Sequence, residues 1–145
     1  MYVDSNLLLS DAQALTASGA STDVLDLKVD ADVGRGEPMG LVVVVDVAAD
    51  GTTTDETYEF AIETDDNSSF SSATALISRT IGYASLTAGS KHIIPFTLSN
   101  ERYLRLYATL GGTTPSITLT AYVAPMCQID TGSGEVYYAS GYTIE

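Results

Sequence analysis

The main pattern along this chain is an alternation of apolar and polar residues, which predicts β-strands. In ITLTAYV (residues 117–123) the odd-numbered residues are apolar, whereas threonine and Tyr122 occupy the even positions. In RYLRLYATL (residues 102–110) the apolar residues are even-numbered, and Tyr103, Arg105 and Tyr107 alternate with them. TYEFAIE (residues 57–63) alternates in the same way. A period of two indicates a sheet with one face on a core and the other in solvent or in an interface.

Three further segments predict strands, namely VLDLK (24–28), TALISRT (74–80) and KHIIPFTL (91–98). Pro95 in the last of these cannot donate a backbone hydrogen bond, so we expect that strand at an edge or a bulge. GLVVVVDV (40–47) is apolar at nearly every position. We expect either a central strand covered on both faces or a strand with one face against another chain, because such a strand left exposed promotes aggregation.

Turn-forming residues separate these strands. The Asp50-Gly51 pair in ADGTT predicts a β-hairpin, and polar connections are predicted at DDNSSFSS (65–72), LGGTTP (110–115) and DTGSGE (130–135). Only residues 7–16 have a pattern compatible with a short helix. About seven short strands at regular spacing predict an all-β fold, an antiparallel β-sandwich or jelly roll.

This pattern divides the chain into three parts. Residues 1–23 are expected to be an N-terminal extended or short helical segment, and residues 24–124 the β-sandwich domain. Residues 125–145 form a tail rich in glycine, serine and tyrosine, with little aliphatic bulk. Because tyrosine supplies contact area at low entropic cost, we expect the tail to lie along a surface of its own domain or of a neighbour.

Composition restricts the functions that the chain can have. It has 145 residues with 6 Lys and Arg against 19 Asp and Glu, a formal net charge of −13. Such a surface repels phosphate, so we expect no binding to nucleic acid or to anionic membranes. The longest apolar run is far shorter than a membrane span. The first residues lack the basic region of a secretory signal, so we expect synthesis in a cytoplasm.

The sequence contains few side chains of the types that usually act in catalysis. It contains one histidine, His92, and one cysteine, Cys127, with no signature of an activated nucleophile near either. DADVGRGE (30–37) begins like a calcium-binding loop but has Gly34 at the third ligand position. We therefore expect no catalytic residues, no cofactor and no bound metal, and a protein that is not an enzyme.

Five segments, in order, resemble the capsid cement (decoration) protein family of tailed bacteriophages, typified by a Bordetella phage. They are LLLSDAQALTASGASTDVLDL (7–27), GRGEPMGLVVVVDV (34–47), ETDDNSSFSSATAL (63–76), IPFTLSNERYLRLYATLGG (94–112) and YYASGYTI (137–144). The resemblance covers nearly the whole chain. It implies a jelly-roll-like sandwich on the outer capsid surface of the virion, made in the cytoplasm of a bacterial host. The implied partners are the major capsid protein, of HK97 type, and further copies of the chain in a dimer or trimer.

The residues expected at capsid or oligomer contacts are apolar or aromatic side chains and one arginine. Arg105 between Tyr103 and Tyr107 has the composition found at interface centres. The whole set is Leu7, Leu8, Leu9, Tyr103, Arg105, Tyr107, Tyr122, Tyr137, Tyr138 and Tyr142. A receptor- or carbohydrate-binding sandwich from a phage tail or an adhesin is the alternative function.

Overall fold

The computed structural model describes residues 4–30, 37–96 and 101–129. It contains nine strands: β1 Leu8–Leu15, β2 Gly19–Ala20, β3 Leu25–Asp26, β4 Met39–Val47, β5 Thr57–Asp65, β6 Thr74–Gly82, β7 Lys91–Phe96, β8 Tyr103–Gly111 and β9 Ile117–Pro125. Three 3-10 turns lie at Ser5–Leu7, Tyr83–Ser85 and Met126–Gln128. No helix in the described ranges is long and apolar enough to cross a membrane.

The strands form two antiparallel sheets. The first sheet has the order β1-β9-β4-β7, and the second has the order β2-β8-β5-β6, with β3 also paired to β8. If β2 and β3 are taken as two pieces of one strand along β8, this is the strand order of an eight-stranded jelly roll. The predicted antiparallel sandwich is therefore confirmed.

The inward faces of both sheets supply one hydrophobic core. Odd-numbered residues of β9 and even-numbered residues of β8 point into it, as the alternation predicted. β4 is a central strand, between β9 and β7, with Leu41, Val43 and Val45 in the core. Its opposite face is covered as well, because Val42 is 0% exposed. β7 is an edge strand, as Pro95 predicted.

Of the two possibilities for residues 7–16, extended or short helical, the chain is extended over Leu8–Leu15. Leu8–Leu15 is strand β1, which pairs with β9. Two register shifts, between Leu8 and Ser10 and between Ser10 and Gln13, and a positive φ of 44° at Ala12 interrupt its alternation. Because β1 and β2 are strands of the two sheets, the sandwich includes residues that precede the expected boundary at residue 24.

The predicted hairpin at Asp50-Gly51 is wrong. The chain does turn there, with Thr54 N donating to the Gly51 carbonyl at 3.2 Å. However, β4 lies in the first sheet and β5 in the second, so the segment crosses between sheets. The connection at residues 112–116 makes the reverse crossing. Gly112 has φ of +91°, and a Cβ there would lie 2.6 Å from the Asp55 carbonyl oxygen, so only glycine fits.

Candidate functional site

Tyr103, Arg105 and Tyr107 share the outer face of the second sheet, as predicted. All three are half-buried, whereas Leu104 and Leu106 between them are in the core. The alternation along β8 thus places one arginine between two tyrosines on the surface. A surface of this composition can pack against another protein.

Arg105 is largely engaged within its own chain. Its Nε donates to Glu63 Oε2 at 2.8 Å, and its Nη2 lies 2.7 Å from the same oxygen. The guanidinium lies 4.1 Å from the centre of the Phe70 ring and 5.4 Å from that of Tyr107. The side chains of Arg105 and Glu63 are only 18% and 17% exposed. Arg105 therefore rigidifies this face more than it offers free charge to a partner.

Phe70 is a residue of this face that sequence reasoning missed. It lies in the β5–β6 connection, where the sequence DDNSSFSS predicted only a polar turn. Asp65 organises this connection by accepting hydrogen bonds from Asn67 N at 2.9 Å and Ser72 N at 2.8 Å. Burial alone would raise the pKa of Asp65, but these hydrogen bonds lower it. The lone aromatic residue in a polar loop was the available signal, because such a side chain needs an apolar contact.

A second arginine is fixed at the end of the same face. Arg102 donates from Nε and Nη2 to the two carboxylate oxygens of Asp26, at 2.7 and 3.0 Å, and lies over the Tyr103 ring. Lys28 Nζ also contacts Asp26, at 3.0 Å. The hydrogen bond from Arg102 is the main reason that the pKa of Asp26 is well below its usual value. Lys28, Arg102 and Arg105 are thus each paired with a carboxylate.

Two more carboxylates are stabilised where the chain enters β5. The Thr53 hydroxyl lies between the carboxylates of Asp55 and Glu56, and Thr113 donates to Asp55 from its backbone at 3.2 Å. The Thr53 hydroxyl is the largest cause of the lowered pKa of both carboxyls. These contacts join the two segments that cross between the sheets.

We expect the stability of the protein to fall in acid. Asp26, Asp55 and Glu56 have lower pKa values folded than unfolded, where ordinary values are 3.8 for Asp and 4.5 for Glu. Their contribution is complete above those values and is lost as the pH falls through the folded values. The melting temperature should be constant from pH 7 to about 5 and then decrease.

The same titration can be made residue-specific. Asp26→Asn should reduce the decrease in melting temperature below pH 5, because the Arg102 contact no longer titrates. Asp11→Asn is the matched control, since Asp11 is exposed and makes no ion pair among the described residues. Equal pH profiles for the two variants would contradict this assignment.

An apolar row crosses the outer face of the first sheet. Leu8, Tyr122, Val42 and Ile93 are paired directly across β1, β9, β4 and β7. Val42 and Tyr122, together with Ala124 and Ile129, form a buried cluster separate from the core, here called the outer cluster. Half-buried Leu8, Val44, Ile93 and Met126 surround it. Apolar side chains that stay partly exposed on the outer face of a sheet are typical of a contact surface.

The outer cluster exists because the chain folds back after β9. Met126 N donates to the Pro38 carbonyl at 2.8 Å, which turns the chain onto the sheet. Gly40 lies beneath this segment, and a Cβ there would be 2.8 Å from Met126 Sδ and 2.9 Å from Ile129 Cδ1. The missing side chain of Gly40 therefore lets residues 126–129 cover part of the outer face.

The remaining predicted contact residues have different positions. Leu9 is 0% exposed in the core, so it is removed from the candidate surface. Leu7 is half-buried against the core, Leu8 is half-buried at the outer cluster, and Tyr122 is 6% exposed within it. Tyr137, Tyr138 and Tyr142 lie outside the described residues.

His92 lies within hydrogen-bond distance of a backbone carbonyl and of a serine hydroxyl. Its Nε2 lies 3.1 Å from the Ser85 carbonyl oxygen and 3.2 Å from Ser90 Oγ. Because a carbonyl oxygen can only accept, Nε2 must carry the proton to bond Ser85. It then cannot take a proton from Ser90 while that bond is formed. Within the described residues, no three His, Cys, Asp or Glu side chains are placed to hold a metal ion.

These observations define a jelly-roll protein with an aromatic, ion-paired outer face on one sheet and an apolar outer face on the other. The model of the Bbp16 family matches residues 9–123, which is most of the chain. The chain therefore belongs to the Bbp16 family, a family of Bordetella phage proteins. No curated protein matches the chain.

Proposed function

We propose that the protein is a capsid cement protein, which binds the outer surface of an HK97-type capsid and bridges major capsid protein subunits. In this proposal it acts without catalysis, cofactor or metal, and has no affinity for nucleic acid or membranes. Membership of a phage protein family supports a role in the virion.

The observation that carries the proposal is the set of half-buried apolar side chains around the outer cluster on the outer face of the first sheet. A protein that works by contact needs apolar area outside its own core. The half-buried side chains Leu8, Val44, Ile93 and Met126 provide such area around the outer cluster. Residues 130–145 follow Ile129 in the sequence, and we propose that their Tyr137, Tyr138 and Tyr142 take part in the contact.

Physical chemistry favours a bridging role for such a surface. A specific protein interface buries roughly 1,200–2,000 Å² in total. A bridge that holds two or more subunits gains avidity, on the order of 10²–10⁴ beyond one contact. The rigid sandwich fixes the spacing between contacts, and the net charge of −13 discourages contact with packaged DNA.

Mass spectrometry of purified particles tests this function. The proposal predicts a copy number comparable to that of the major capsid protein, because cement is needed at repeated subunit junctions. A handful of copies per particle, together with glycan binding by the isolated protein, would contradict cementing and favour the receptor-binding alternative.

A further inference from the structure

The described part of the chain ends on the outer face of the first sheet. Ile129 is the last described residue, and it is only 7% exposed. It is buried because it belongs to the outer cluster, together with Val42, Tyr122 and Ala124 of the sheet. Residues 130–145 follow it in the sequence. The sequence thus continues from a residue that is already packed on an apolar surface.

Residues 126–129 cover only one end of this face. The Cδ1 of Ile129 lies 2.9 Å from the position of a Cβ on Gly40, near the start of β4. Val44, four residues further along β4, is outside the core and half-buried, and Ile93 beside Val42 is half-buried as well. An apolar strip therefore continues along the sheet from the point that Ile129 reaches.

The residues after Ile129 have a composition that suits this strip. Residues 136–144, VYYASGYTI, include three tyrosines, a valine and an isoleucine, and none of them is charged. Strands β4, β7 and β9 contain one carboxylate, Asp46, whose Oδ2 accepts from Thr120 Oγ1 at 2.8 Å. In a chain of net charge −13, an uncharged aromatic segment can bury area on this face without burying unpaired carboxylates.

The length of the segment is sufficient to cover the strip. An extended chain rises about 3.3 Å per residue, so Val44 is about 13 Å from Gly40 along β4. Tyr138 is nine residues after Ile129 and can be up to about 30 Å from it. Residues 130–135, DTGSGE, have the composition of a turn and can redirect the chain.

We propose that residues 136–144 pack along the outer face of the first sheet of their own chain, with tyrosine rings over Val44 and Ile93. Covalent connection favours this occupant over a second copy. A segment joined to Ile129 by a short linker has an effective concentration on the order of millimolar at this face, which exceeds that of a partner in dilute solution.

The inference deepens the proposed function, and its consequence for the capsid rests on that function. The surface that meets the capsid is then a sheet face covered by tyrosines, and not the bare strands. One side of each ring packs on the sheet, while the other side and the hydroxyl are available to a partner.

Chymotrypsin cleavage tests the packing in purified protein without capsids, because this protease cuts after tyrosine. Cleavage after Tyr137, Tyr138 and Tyr142 should be slow in the wild type. Val44→Asp places a carboxylate under the segment and should accelerate this cleavage at least about tenfold, since a packed segment is cut in proportion to the fraction of time that it is released.

Val47→Asp is the matched control. It makes the same change on the same strand, but Val47 is 60% exposed and is not part of the outer cluster. This variant should be cut like the wild type, and circular dichroism should show both variants folded. Equal cleavage of the wild type and Val44→Asp would overturn the proposal. Protection that is lost on dilution would identify a second copy as the occupant and would also overturn it.

Disulfide trapping is an independent readout that uses the full chain. With Cys127→Ser as background, Val44→Cys is combined in turn with Tyr137→Cys, Tyr138→Cys and Tyr142→Cys. Under mild oxidation at least one pair should form a disulfide within the monomer, as peptide mapping would show. Covalent dimers alone, or no disulfide in any pair, would contradict the packing. Normal protection of the segment in a protein that does not bind shells would count against the cement function alone, so the two failures are distinguishable.

Discussion

Replacing Gly40 with valine is expected to weaken binding to capsid shells at least about tenfold while leaving the sandwich folded, because the substitution displaces the cover of the outer cluster. A Cβ at residue 40 meets Met126 Sδ at 2.8 Å, Ile129 Cδ1 at 2.9 Å and Ile93 Cγ2 at 3.4 Å. Two branched methyl groups add to this overlap, so the side chains of Met126 and Ile129 must move away from residue 40. The apolar surface around the outer cluster then changes shape.

The expected cost in stability is moderate. Moving Met126 and Ile129 exposes apolar area of the outer cluster, which is worth about 1–3 kcal/mol in the free energy of unfolding. The core cluster between the sheets does not include these residues and should be unaffected. Urea unfolding followed by circular dichroism measures this cost, and co-sedimentation with shells that lack the protein measures the affinity.

Gly19→Val is the matched control. Gly19 is also a strand glycine, but no heavy atom lies within 4 Å of the position of its added Cβ. This variant should bind shells like the wild type. If Gly40→Val bound as tightly as Gly19→Val, the outer face of the first sheet would not be the capsid contact.

The strands were predictable where burial imposes a period of two. β5, β8 and β9 each have one face on the core, so their sequences alternate and their inward residues could be named in advance. β4 lacks this alternation, so its sequence left open a strand covered on both faces or a strand with one face against another chain. In β1 the register shifts and the positive φ of Ala12 remove the alternation, so the segment resembled a helix.

Strand pairing was not predictable from local sequence. Asp50-Gly51 correctly indicates a turn, but the chemistry of a turn does not specify which strands pair on either side of it. β4 pairs with β9 and β7, far away in the sequence, because these contacts complete a sheet rather than a hairpin. The jelly-roll order is therefore a property of the whole chain.

The candidate surfaces were predictable in part. The common face of Tyr103, Arg105 and Tyr107 follows from spacing alone. The contact of Arg105 with Phe70 and Glu63 depends on the conformation of a loop, and the covering of Val42 and Tyr122 depends on where the chain turns after β9. Neither is encoded in the residues of the strand concerned.

Particles assembled without the protein should be much less resistant to heat and osmotic shock than particles that carry it. In the proposed function, each bridge would add an interface of roughly 1,200–2,000 Å² that must separate before the shell opens under the pressure of packaged DNA. Because many bridges act together, we expect survival after osmotic shock to fall at least about tenfold. Adding purified protein back should restore resistance, whereas adding Gly40→Val should restore less.

The most direct measurement is the temperature at which particles release their DNA, compared with and without the bound protein. If the protein reinforces the capsid, particles without it should release their DNA at a lower temperature. Adding the protein back should restore the release temperature. Identical release temperatures for bare and decorated particles would contradict the cement function.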